Sequence, residues 1–100
     1  MQKYVCYNDP AHGWLAVERK EIYDLGIADK VSGYSYQKGL SVFLEEDCDM
    51  GLFIKAKCEK AGVEFSKWRE VVTVEDRHTN AESFIRQYNR YKYTEGQFNG

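Results

Sequence analysis

The sequence is poor in the residues that mark disordered, disulfide-bonded and membrane-spanning chains. Its 100 residues include one proline and eight glycines, which argues against a long disordered stretch. The three cysteines form no CxxC pair, so a disulfide framework is disfavoured and a reducing compartment is the simpler setting. No apolar run approaches the length of a membrane span, and the first residues lead into a strand-like segment rather than a signal sequence. We therefore expect one folded domain in the cytoplasm of a cell, without a membrane partner.

An excess of basic residues is also missing. The formal net charge is -2 at pH 7, which excludes a globally basic nucleic-acid binder but leaves room for a local basic patch. The charge is unevenly distributed, because residues 45–49 carry only acidic charges whereas residues 86–92 carry basic ones. Two oppositely charged segments are therefore the candidates for contact with partners.

The clearest secondary-structure pattern lies between residues 41 and 65. Alternating apolar residues predict a strand at 41–45, and apolar residues at helical spacing then predict a helix from Met50 to Ala61. Asp47 is the predicted N-cap of this helix. Gly62 is the predicted stop, since glycine readily adopts the left-handed conformation that ends helices.

The flanking segments predict further short elements. These are strands at 4–7, 14–17 and 34–37, a helix at 18–25, a hairpin turn at 38–39, a strand at 63–74 with a bulge at 66–67, and a helix that follows a capping box at 79–82. Together they predict a single α+β domain over residues 1–93, with a mixed, largely antiparallel sheet of four to five strands, two or three helices and a frayed tail at 94–100. A ferredoxin-like split βαβ is the most economical topology.

Four carboxylates cluster where the central strand meets the central helix. We call Glu45, Glu46, Asp47 and Asp49 the acidic corner. Helix capping and the helix dipole already account for Asp47 and Asp49. The same four residues are also a candidate contact surface for a basic partner, and metal or acid–base chemistry is a third interpretation.

The C-terminal segment mixes basic and tyrosine side chains. Its candidate binding residues are Arg86, Tyr88, Arg90, Tyr91 and Lys92, which are expected on a helix. Such a mixture can hold phosphates and stack on bases, although three positive charges give only weak, salt-sensitive binding. An exposed amphipathic helix and a protein-contact surface are the alternatives.

Residues suited to metal binding or catalysis are present but badly spaced. A zinc site needs about four ligands, and the candidates Cys6, Cys48, Cys58, His12 and His78 include no close pair. Cys58 is expected to be a buried apolar residue, and a nucleophilic Cys48 lacks support. Glycine-rich phosphate loops and serine elbows are missing as well. We therefore expect no metal, no cofactor and no catalytic residues.

Four segments together suggest a context. DPAHGWLAV, LGIADKVSGYSYQKG, FLEEDCD and IRQYNRY resemble a group of small proteins of bacteriophages, plasmids and other mobile elements. The resemblance implies an accessory factor that binds a host machine, as inhibitors of CRISPR and other defence complexes do. The leading hypothesis is thus a non-enzymatic, anti-defence protein that binds a host protein or ribonucleoprotein complex through the acidic corner. The alternative is a nucleic-acid-binding accessory protein that uses the C-terminal segment.

Overall fold

The computed structural model describes residues 2–94, and all counts here refer to that range. The strands are β1 (Gln2–Asn8), β2 (Gly13–Glu18), β3 (Tyr36–Lys38), β4 (Ser41–Glu45), β5 (Val72–His78) and β6 (Asn89–Arg90). The α-helices are α1 (Arg19–Asp24) and α2 (Met50–Ala61), and short 3₁₀ helices lie at Ala28–Lys30, Phe65–Glu70 and Phe84–Gln87. No helix in this range is both long and apolar enough to cross a membrane. The predicted single α+β domain is confirmed, with six strands rather than four to five.

The strands form one mixed sheet in the order β5-β1-β2-β4-β3-β6. β1 and β5 are parallel, whereas the other neighbouring pairs are antiparallel. The order differs from that of a ferredoxin-like sheet, because β1 and β2 pair directly as a hairpin and β5 adds beside β1. These pairings make β1, β4, β5 and β6 run in the same direction. Their carboxyl ends therefore lie along one edge of the sheet, which we call the carboxyl edge.

Both faces of the sheet carry buried apolar residues. The face covered by α1 and α2 holds the larger core, in which Ile22 and Phe53 pack on strand residues such as Leu15 and Leu44. The opposite face holds a smaller cluster of Trp14, Tyr36, Phe43 and Ile85, with Tyr7, Ala16 and Tyr88 packed against it. We call this second surface the aromatic face. Its only cover within the described residues is the segment around the 3₁₀ helix Phe84–Gln87.

α2 has the predicted bounds but not the predicted cap. Gly62 has a φ of 70° and ends the helix as expected. The N-cap is Asp49 rather than Asp47, and its side chain accepts no capping hydrogen bond. Asp47 lies in a turn that the Glu45 side chain organises, so it is too far from the helix start to cap it. Cys58 is buried on the core side of α2, as predicted.

Two predicted elements near the C-terminus are wrong. The first half of the predicted strand at 63–74 is the 3₁₀ helix Phe65–Glu70, and β5 occupies only 72–78. The predicted third helix is replaced by the 3₁₀ helix Phe84–Gln87, whose N-cap Ser83 accepts a hydrogen bond from the Ile85 N–H at 3.2 Å. β6 follows at once and pairs with β3. Of the predicted frayed tail, residues 95–100 lie outside the described range.

Candidate functional site

A cleft of about 260 Å³ lies at the carboxyl edge. It is lined by His12, Tyr34, Tyr36, Glu45, Asp47, Cys48, Arg86 and Arg90. These residues come from the turn before β2, the loop before β3, the end of β4 and the C-terminal segment. The cleft brings the acidic corner and part of the basic C-terminal segment to one place, although they are about 40 residues apart in sequence.

Glu45 is the structural centre of the corner. Its side chain is buried, and its Oε2 accepts the backbone N–H groups of Asp47 at 2.8 Å and Cys48 at 2.9 Å. Its Oε1 lies 3.2 Å from His12 Nδ1. The carboxylate therefore shapes the turn after β4 and fixes the orientation of the imidazole, and it offers little surface to a partner.

Asp49 is equally internal, with 3% of its surface exposed. It accepts the Ser32 backbone N–H at 3.0 Å and the Ser32 hydroxyl at 2.7 Å. The buried hydroxyl of Ser35 donates a further short hydrogen bond to it. Asp49 thus ties the loop before β3 to the start of α2. Only two members of the acidic corner, Glu46 and Asp47, face solvent.

The exposed carboxylates repel each other. Partial burial raises the pKa of Glu46 above its usual range, and the negative charges of Asp47 and Glu45 raise it further. His12 and the Gly13 backbone lower the pKa of Glu46 by a smaller amount, so a concentration of negative charge remains at this point. Such a surface is a good electrostatic match for a cationic partner.

Cys48 is exposed beside these carboxylates, but its thiol is not activated. Desolvation raises the pKa of the Cys48 thiol, and a hydrogen bond with Glu45 and nearby negative charges raise it further. Since the thiolate is the reactive form, this environment disfavours a nucleophilic Cys48. His12, Glu45 and Asp47, by contrast, can each place one potential metal-ligand atom within 4.8 Å of the others.

Arg86 is held in the wall of the cleft by Asp9. The two side chains form a salt bridge at 2.8 Å, and the Asp9 side chain is 1% exposed. Asp9 also accepts backbone N–H groups from Ala11, His12 and Ser83. The hydrogen bond from Arg86 holds the pKa of Asp9 well below its usual range. The pair therefore connects the β1–β2 turn with the C-terminal segment, and Arg86 is not free to bind a phosphate.

The other candidate residues of the C-terminal segment point in different directions because the predicted helix is absent. Tyr91 is buried, and its hydroxyl donates to the Ala28 carbonyl at 2.6 Å. Arg90 is exposed and donates to the Gly33 carbonyl at 2.9 Å, and Lys92 is exposed. Tyr88 is half-buried on the aromatic face. These side chains do not form one basic, tyrosine-rich surface.

The aromatic face provides a second candidate surface. Four of its rings contact one another with centroid separations of 5.3 to 6.4 Å: Tyr7, Phe43, Phe84 and Tyr88. Phe84 is 49% exposed. The ammonium of Lys38 lies 5.2 Å from the centre of the Tyr88 ring, and the guanidinium of Arg77 lies 6.0 Å from that of Tyr7. The face thus combines exposed aromatic surface with a cation on either side.

A larger cleft of about 710 Å³ lies on the other side of the sheet, between β1, β2, α1 and α2. Its buried charges already satisfy one another, because Glu21 accepts hydrogen bonds from Lys57 Nζ at 2.7 Å and from the Tyr4 hydroxyl at 2.7 Å. The Lys57 side chain therefore ends in an ion pair, which explains why a lysine is tolerated on the apolar side of α2. Because its buried charged groups are paired with one another, we do not consider this cleft a candidate binding site.

Comparison of the chain with protein-family models, with curated protein sequences and with solved structures finds no match. Its function is therefore inferred from the geometry of these surfaces. Sequence reasoning identified the acidic corner but missed His12 and Tyr34 as members of the same cleft. Both lie in loops at least 11 residues from Glu45, and no periodic pattern connects them to it. The alternation along β1 and β4 could have placed Tyr7 and Phe43 on a shared face.

Proposed function

We propose that this chain is a non-enzymatic binding protein, a mobile-element accessory factor that docks on a host protein or ribonucleoprotein complex in the bacterial cytoplasm. The exposed surface of the corner is the observation that supports the proposal most directly. Glu46 and Asp47 present two carboxylates to solvent, and Tyr34, on the rim of the same cleft, is 65% exposed. We call these three residues the contact patch.

The contact patch combines the two features that protein interfaces use most. A solvent-exposed tyrosine supplies a large apolar contact area with few rotatable bonds and is enriched among residues that dominate binding energy. Adjacent carboxylates accelerate encounter with a basic surface and suppress the wrong partners. Defence complexes that bind nucleic acids have positively charged channels, and such a channel is a basic surface that the contact patch could bind. An inhibitor of such a complex is the function that this combination supports best.

The buried half of the acidic corner supports the proposal by holding the patch rigid. Glu45 fixes the backbone of the turn that carries Glu46 and Asp47, and Asp49 fixes the loop that carries Tyr34 through Ser32 and Ser35. A surface that is ordered before binding loses less conformational entropy on association. Rigid loops around an exposed tyrosine are thus suited to tight binding by a small protein.

Neutralising the patch should slow partner association. After affinity capture from a bacterial host, we expect Glu46→Gln/Asp47→Asn to lower the association rate about tenfold at low salt, with the loss shrinking as salt rises. Surface plasmon resonance over a salt series measures the association rate and its dependence on salt. Glu59→Gln/Glu64→Gln removes two exposed carboxylates near the far end of α2 and should bind like the wild type. An unchanged association rate for the patch variant at low salt would refute the proposal.

Nucleic-acid binding through the aromatic face is the second candidate, favoured by Phe84 and Tyr88 with Lys38 beside them. Stacking on an aromatic ring contributes about 1 to 3 kcal/mol per base. We expect Phe84→Ala to weaken binding of a single-stranded RNA about tenfold in fluorescence anisotropy. Phe65→Ala removes an equally exposed ring elsewhere and is the matched control. Equal affinities of the two variants, or no binding by the wild type in low salt, would exclude this function.

A further inference from the structure

Three potential metal ligands converge on the cleft at the carboxyl edge. They are the imidazole of His12 and the carboxylates of Glu45 and Asp47, whose ligand atoms all lie within 4.8 Å of one another. They come from two parts of the chain, since His12 precedes β2, whereas Glu45 ends β4 and Asp47 follows it. We propose that these three side chains bind a divalent transition-metal ion such as Zn²⁺.

The distances suit an ion with short bonds to nitrogen and oxygen. Ligands about 2.1 Å from a tetrahedral zinc ion lie about 3.4 Å from each other. His12 Nδ1 and Glu45 Oε1 are already 3.2 Å apart, which is close to the separation of two ligands of one ion. The third ligand, Asp47, is exposed, and one of its carboxylate oxygens already lies within 4.8 Å of the other two ligand atoms.

The surroundings hold the two inner ligands in place. One oxygen of Glu45 is occupied by backbone N–H groups of Asp47 and Cys48, which leaves the other oxygen directed at His12. The backbone N–H of His12 donates to Asp9 at 2.9 Å and so fixes the turn that carries the imidazole. Hydrogen bonds that orient the ligands in this way are a general feature of metal sites.

The donor set selects the class of ion. One imidazole with two carboxylates suits Zn²⁺, Co²⁺, Ni²⁺ or Mn²⁺, whereas Ca²⁺ and Mg²⁺ prefer oxygen ligands alone. Three protein ligands leave at least one position open on the ion. Arg90 is exposed and lines the same cleft, and its positive charge favours an anion, such as a phosphate or carboxylate group, at that open position.

The aromatic environment supplies a direct readout. The His12 ring lies 6.0 Å from that of Trp14, and the chain contains two tryptophans. In a Trp68→Phe background, Trp14 is the sole tryptophan, so a quenching ion such as Ni²⁺ bound at His12 should reduce its fluorescence. Isothermal titration of the same metal-free protein with Zn²⁺ gives the stoichiometry and the affinity.

We expect saturable binding of one Zn²⁺ per chain with a Kd below about 10 μM, a free-energy change of about -7 kcal/mol or stronger. His12→Ala and Asp47→Ala should each weaken it more than tenfold, while circular dichroism shows an unchanged fold. His78→Ala and Glu59→Gln, which remove an exposed imidazole and an exposed carboxylate elsewhere, are the matched controls and should bind like the wild type. Lack of saturable binding below 1 mM, equal affinity of His12→Ala and wild type, or complete loss in Cys48→Ser would overturn the proposal. The test uses the isolated protein, so its result is independent of the proposed partner.

Discussion

Replacing Asp9 with asparagine should lower the free energy of unfolding by about 3 kcal/mol. The carboxylate is buried and accepts hydrogen bonds from Arg86 and from three backbone N–H groups, those of Ala11, His12 and Ser83. An asparagine side chain has one acceptor oxygen, and its NH₂ group would face N–H donors. The guanidinium of Arg86, only 26% exposed, would also lose its counter-charge. Breaking a largely buried ion pair from one side is among the most destabilising single changes.

Urea denaturation measures this loss as a lower midpoint at an unchanged slope. Asp24→Asn breaks an exposed ion pair with Lys20 and should change stability by about 0.5 kcal/mol or less. Because the pKa of Asp9 is depressed in the fold, its contribution is present above the unfolded pKa of about 3.9 and is lost as pH falls below it. The stability difference between wild type and Asp9→Asn should therefore shrink as pH falls below about 4. A difference under 1 kcal/mol at pH 7 would contradict this account.

The elements that sequence patterns predicted well are those with local causes. β4 and α2 follow from alternation and helical spacing within the segment itself, and Gly62 ends α2 through its own backbone conformation. The parallel pairing of β5 with β1 is different, since it joins residues about 70 positions apart. No local pattern distinguishes that arrangement from a ferredoxin-like one, because both bury the same apolar residues.

The predicted C-terminal helix failed because its apolar residues belong to two cores. Ile85 packs on the aromatic face, whereas Tyr91 packs in the core on the helix-covered side of the sheet. A single helix that lies on one face of the sheet cannot place these two residues in cores on opposite faces of the sheet, so the chain forms a short 3₁₀ helix and then continues along the sheet edge as β6. The expected capping box also has a different role, since the Thr79 hydroxyl accepts the nearby Ala81 N–H at 3.3 Å in a turn.

The acidic corner could be recognised in the sequence, but the different roles of its four residues could not. Partners of the buried carboxylates, such as Ser32, Ser35 and His12, are 14 to 33 positions away from Glu45 or Asp49 along the chain. Four adjacent acids look equivalent until tertiary structure brings these partners to two of them. Glu45 and Asp49 are buried and hydrogen-bonded, so they stabilise the fold. Glu46 and Asp47 are exposed, so they are the residues available for contact with a partner.

Two double variants that remove the same formal charge should consequently behave in opposite ways. Glu45→Gln/Asp49→Asn should lower the free energy of unfolding by about 3 to 5 kcal/mol, because buried hydrogen bonds to a charged group contribute about 1.5 to 3 kcal/mol each. The amide NH₂ groups would face the Asp47 and Cys48 N–H groups or the Ser32 and Ser35 hydroxyls, all of which now donate to carboxylates.

Glu46→Gln/Asp47→Asn should instead unfold within about 0.5 kcal/mol of the wild type or at slightly higher urea concentration. The raised pKa of Glu46 agrees with this direction of the stability change. The fold disfavours the charged form of Glu46, so neutralising the side chain removes that cost. Urea titrations of both double variants at pH 7 compare their stabilities. The two variants have the same net charge, which serves as the internal control. If the two variants lose stability equally, the corner acts through its total charge, and the separation into a buried scaffold and an exposed contact patch is wrong.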